Sequence, residues 1–131
     1  MTKRTIVYID GFNLYHGMKS KYGKKYSWLD IEKFSTALTP KDHRLVLARY
    51  FSSRIKGDAA DPDKPKRQAI YWNAIRSLEP RVVIIKGNYQ AFQSHCKHCN
   101  HLIRCRDCGM PHIKPNEKKT DVNIATAMLV D

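Results

Sequence analysis

No apolar run in this chain approaches the ~18 residues that a membrane-spanning helix requires, so no membrane segment is expected. Internal repeats and low-complexity tracts are not apparent. The opening MTKRTIVYID ends its apolar stretch in a carboxylate after five residues, without the small-residue site of an export signal, and a soluble, cytoplasmic protein is expected. Acid is scarce: 12 Asp and Glu stand against 24 Lys and Arg, a formal charge of +12. So strong an excess points first to a polyanionic partner, and nucleic acid leads.

The 131 residues suffice for one domain with a real core. TIVYI (5–9) reads as a buried strand, and WLDIEKFSTAL (28–38) as a helix stopped by Pro40. RLVLARYFSSR (44–54) reads as a second strand. RQAIYWNAIRSL (67–78) is then a helix with Ile70, Tyr71, Ile75 and Leu78 on its apolar face, ended by Pro80. RVVIIKG (81–87) has the continuous apolar character of a buried strand, and KTDVNIATAMLVD (119–131) that of a helix opening at Asp121. Alternating strands and helices imply a three-layer α/β fold with a mainly parallel sheet.

In such sheets ligands gather outside the carboxyl ends of the strands. Asp10 ends the first strand there, followed by Gly11 and Asn13. Asp10 either caps the next helix or, with Asn13, holds a divalent cation, since Mg²⁺ takes one or two carboxylates together with water and phosphate oxygens. Asp121, at a helix start, is a second carboxylate that the topology can bring to the same edge; it also suits the helix dipole. His16 follows the first motif and could contact substrate, although a lone histidine is more often structural or surface-exposed.

YIDGFNLYHG and EKKTDVNIATAMLVD together resemble the NYN domain family, PIN-like metal-dependent ribonucleases of α/β type. Their first strand ends in Asp–Gly–x–Asn, and a later helix begins near Lys–x–Asp. The resemblance covers almost the whole chain. It implies a PIN-like domain over 1–131 that cleaves RNA with Mg²⁺ or Mn²⁺ bound at Asp10 and Asp121, with Asn13 as an accessory polar residue and Lys118 and Lys119 beside the site. NYN domains continue into another strand with a Ser–Gly–Asp–x–Asp-like end, and that segment is missing here. The domain is therefore expected to be incomplete at its C-terminus, as a fragment or as a unit completed by another chain or a second copy. Asp131 cannot substitute, because ten helical residues set it roughly 15 Å along the axis from Asp121. A haloacid-dehalogenase-type phosphatase would want a second Asp where Phe12 stands.

All four cysteines lie in HCKHCNHLIRCRDCGMPH, spaced Cys96-x2-Cys99-x5-Cys105-x2-Cys108. Two C-x2-C pairs in one short stretch are a strong signature for structural Zn²⁺, with His95, His98, His101 or His112 as alternative ligands. A zinc-knuckle insertion over 95–112 is expected, serving as a staple or also as an RNA contact. In KSKYGKKY (19–26), Lys19, Lys21, Lys24 and Lys25 interleave with Tyr22 and Tyr26, which suits phosphate contact beside base stacking. Endoribonuclease is the leading function; a non-catalytic RNA-binding zinc module is the alternative.

Overall fold

The computed structural model describes the backbone from Met1 to Asp131 and the side chains of all residues except 89–91 and 115–118. The chain runs β1 (Lys3–Asp10), α1 (Gly11–Tyr22), α2 (Ile31–Leu38), β2 (His43–Ser53), α3 (Lys64–Leu78), β3 (Val82–Gln93), β4 (Ile113–Lys118) and α4 (Thr120–Val130). The sheet order is β1-β2-β3-β4. The first two pairings are parallel and the last antiparallel, so the fold is α/β with a mainly parallel sheet.

The register divides the sheet into two faces. Val7, Ala48 and Val82 align across the three parallel strands, as do Ile9, Tyr50 and Ile84. These residues meet Ile31 of α2 and Ile75 of α3 in one apolar cluster, with Leu14, Phe34 and Tyr71 packed against it. The helices of the first two crossovers therefore share one face, as uniform right-handed connections between neighbouring parallel strands require. On the other face, Tyr8, Arg49 and Val83 form one row and Asp10, Phe51 and Ile85 the next. There Asp131, which follows α4, accepts hydrogen bonds from Tyr8 and Arg49, so α4 covers this second face. Among the described residues no helix is long and apolar enough to cross a membrane.

Local chemistry explains most element ends. Asp10 and Asp30 cap α1 and α2 through side-chain carboxylates, and Pro65 sits in the first turn of α3, where no backbone N–H is needed. Several expectations need correction. An unexpected helix, α1, follows Asp10 at once, and Lys19 and Lys21 lie in its last turn. On α3, Trp72 and Ile75 are the buried pair, whereas Ile70 and Leu78 are exposed. β3 runs six residues past Gly87, its last partner on β2, and pairs there with the unexpected β4.

Candidate carboxylate site and cysteine knuckles

Asp10 closes β1 and caps α1. Its Oδ1 accepts the backbone N–H of Phe12 (3.1 Å) and of Asn13 (3.0 Å), and its Oδ2 accepts Asn13 Nδ2 at 2.9 Å. The capping role is thus realised, and protein donors compensate the carboxylate. A carboxylate offers about four lone-pair sites, so three bonds leave acceptor capacity for a ligand. Gly11 is required by packing: a Cβ there would lie 2.4 Å from Tyr50 Cζ and 2.6 Å from its hydroxyl. Tyr50 is buried in the core and has little room to withdraw. His16 packs edge-on against Phe12 and Tyr15, in keeping with a structural part.

Asp121 reaches the site by a longer route. β4 ends at Lys118, paired with Asn88, immediately beyond the Ser53–Gly87 pairing that ends the parallel sheet. The first turn of α4, carrying Asp121, consequently starts at the edge where β1 ends in Asp10. In the order β1-β2-β3-β4, three strand spacings set the end of β4, from which α4 starts, roughly 14 Å from the end of β1. No hydrogen bond joins the two carboxylates, and among the described residues no three His, Cys, Asp or Glu converge as a metal-binding group. Lys119 precedes the helix with a left-handed backbone (φ 70°) and is exposed; the side chain of Lys118 lies outside the described residues.

Sequence reasoning passed over Ser52 and Ser53, buried at the carboxyl end of β2 between the two carboxylate-bearing elements. Ser53 Oγ has no hydrogen-bond partner in the described structure. Gln68 fixes this strand end, donating from Nε2 to Ser53 O at 2.9 Å and accepting the N–H of Ile55 at 3.1 Å. The available signal was two small polar residues closing an otherwise apolar strand.

Asp131 stands apart from this edge, as the helical rise implies. It bonds Arg49 through both carboxylate oxygens and accepts the Tyr8 hydroxyl at 2.7 Å. The Arg49 guanidinium first, and then the Tyr8 hydroxyl, hold its carboxyl below the usual carboxylate range. Desolvation, and secondly the carboxylate itself, push the Tyr8 phenol up.

The lysine patch forms a separate region. Lys19 lies over Tyr15, Lys21 over Tyr22 and Lys25 over Tyr26, with ammonium-to-ring distances of 5.9, 5.3 and 5.2 Å. Tyr22 and Tyr26 meet edge to face and are both exposed, whereas exposed Trp28 packs edge-on against Tyr71. The helical rise puts Lys19 roughly 14 Å along the axis from Asp10, so the lysine–tyrosine surface is separate from the carboxylate.

The cysteines form two pairs of like build. Asn100 N–H donates to Cys96 O and Gly109 N–H to Cys105 O, both at 2.9 Å. Amides of Cys99 and then His98 hold the Cys96 thiol below its ordinary pKa; those of Cys108 and then Asp107 do the same for Cys105. All four are free thiols.

No protein-family model matches the chain, and no solved structure matches it. Over 143 aligned residues the chain is 32% identical to 6-hydroxy-3-succinoylpyridine 3-monooxygenase HspA of Pseudomonas putida. The alignment takes in 93% of this chain but 45% of that protein, so the chain spans less than half the length of this relative.

Proposed function

We propose that this chain is the NYN-type, PIN-like core of a metal-dependent endoribonuclease. The observation that carries the reading is the placement of Asp10, with Asn13 bonded to it, and of Asp121 at one edge of a mainly parallel sheet. Both are oxygen donors of the kind that Mg²⁺ and Mn²⁺ prefer, and Asp10 keeps unused acceptor sites. Bound there, such a cation would supply an acidified water and neutralise phosphodiester charge. Asn13 fixes the orientation of the Asp10 carboxylate, Lys119 at the entry to α4 adds positive charge near the scissile phosphate, and the Lys19–Lys25 surface holds the flanking strand.

β1 is the outer strand of the described sheet, and its free edge runs up to Asp10. A further strand added along that edge, from a longer polypeptide or from another chain, would bring additional carboxylates to the same place.

Two other readings have specific support. The +12 charge with the lysine–tyrosine surface favours an RNA-binding module without catalysis. The 32% identity to HspA favours an oxygenase component. End-labelled single-stranded RNA incubated with Mn²⁺ and the completed protein should be cut internally and spared by a chelator. Binding without cutting would install the RNA-binding module, and hydroxylation of 6-hydroxy-3-succinoylpyridine in place of RNA cleavage would install the oxygenase.

A further inference from the structure

Residues 95–112 contain a repeat that the sequence pattern conceals, HCKHCNHLI followed by RCRDCGMPH, with a period of nine. The bridge His95–Leu102 recurs as Arg104–Pro111. The bond from Cys96 N–H to His101 O (2.8 Å) recurs from Cys105 N–H to Met110 O (2.9 Å). Each unit turns through one left-handed residue, Asn100 (φ 57°) in the first and Gly109 (φ 69°) in the second. Both units spring from a closed ring of three backbone bonds. Ile103 N–H donates to Ser94 O, His112 N–H to Ile103 O, and Ser94 N–H to His112 O, at 2.8, 2.8 and 2.7 Å.

The consequence is two short fingers of equal build rooted on one junction, each offering a C-x2-C pair. Little else holds them: Cys99, Cys105, Cys108, Ile103 and Met110 are exposed, and no residue between 95 and 112 belongs to the apolar core. A segment that buries so little needs another source of stability, and metal binding is one that small units use.

We propose that the two fingers close on a single Zn²⁺ held by Cys96, Cys99, Cys105 and Cys108, two thiolates from each finger, and that this metal clips the tip of the β3–β4 arm. The period of nine selects the ligands. It superposes Cys96 on Cys105 and Cys99 on Cys108, whereas it sets His95 opposite Arg104, His98 opposite Asp107, His101 opposite Met110 and His112 opposite Ile103. Only the cysteines recur in both units. Among the described residues no three of these side chains converge, so binding of one metal entails closure of one finger toward the other. Four protein ligands leave no open position, which makes the site structural. It is independent of the carboxylate edge.

Metal content and Co²⁺ substitution on the full chain test this. About one metal per chain is expected, and the Co²⁺ form should show thiolate charge transfer and a tetrahedral d–d spectrum. Cys99→Ser and Cys108→Ser should each weaken Co²⁺ binding at least tenfold, while His98→Ala and His101→Ala leave it unchanged. Chelation should speed amide exchange of residues 94–112 and leave β1 and β2 slow. Two metals per chain, a metal shared between two copies, an unchanged Co²⁺ spectrum in both serine variants, or intramolecular disulfides in place of metal under reducing handling would overturn the proposal.

Discussion

The sheet and the cysteine arm solve the same folding problem with different means. In the sheet, Phe51, Ile31 and Ile75 are almost completely buried, and strand register brings apolar rows together from distant parts of the sequence. In the arm, backbone bonds repeat with a nine-residue period but nearly every described side chain between 95 and 112 faces solvent. Apolar burial contributes about 25 cal/mol per Å², whereas a solvent-accessible hydrogen bond nets only about 1 kcal/mol. The sheet therefore sustains itself, and the proposed Zn²⁺ would supply the arm with the stability that burial does not. The carboxylate edge lies at the meeting of the two, since Asp10 is placed by the sheet and Asp121 by β4, the returning strand of the arm.

The largest expected effect breaks the self-sufficient side. Phe51→Ala should cost about 3–5 kcal/mol in denaturant unfolding, because a fully buried ring is lost from the α4 face. A cost below about 1 kcal/mol would show that α4 does not seal that face. Gly11→Ala should follow, at about 1–3 kcal/mol, since the new methyl meets the buried Tyr50 ring. Its companion Tyr50→Phe removes the hydroxyl but leaves Cζ in place, so it should relieve only part of that cost in the double variant; full relief would mean that the hydroxyl alone makes the clash.

A smaller effect concerns pH. The Asp131 carboxyl is held low in the fold by Arg49 and Tyr8, so its contribution to stability is present above the unfolded carboxylate pKa of about 3.9. That contribution is lost as pH falls through the lower folded value. Asp131→Asn should flatten the acid limb of the stability profile, measured between pH 2 and 5 on the order of the usual carboxylate window. An unchanged limb would assign acid sensitivity to other carboxylates such as Asp58 and Asp61, which Lys64 and Arg67 hold low as well. Smallest per residue is the lysine patch: Lys21→Ala or Lys25→Ala should each reduce the slope of log affinity for single-stranded RNA against log salt by roughly 0.7.

Much of the sheet could be read from residue patterns because burial dictates them. RVVIIKG is apolar without a break, although only Val82 is fully buried and Val83 is exposed, and RLVLARYFSSR buries Leu45, Ala48, Tyr50 and Phe51. Helix α1 was illegible for the opposite reason: it buries only Gly11 fully and carries lysines and tyrosines outward, so it has almost no apolar stripe. Its one strong signal is the Asp10 cap. β4 was hidden because IKPNEK contains a proline and no alternation, and its strand character comes from pairing with the β3 extension. Trp72 displaced Ile70 on α3 because which flank of a broad apolar face turns inward is decided by tertiary packing. Asp10, Asn13 and Asp121 were legible as polar residues at element boundaries, whereas Ser53 matters only once the strand ends are aligned.

The most direct test of the central claim is RNA cleavage in Mn²⁺ by the completed protein and by its Asp10→Asn and Asp121→Asn variants, with RNA affinity measured on the same substrate. Both variants should lose at least a hundredfold in cleavage while binding RNA within about twofold of the parent, because hydrolysis draws on the carboxylates and binding on the lysine surface. Undiminished cleavage in both variants would contradict the account.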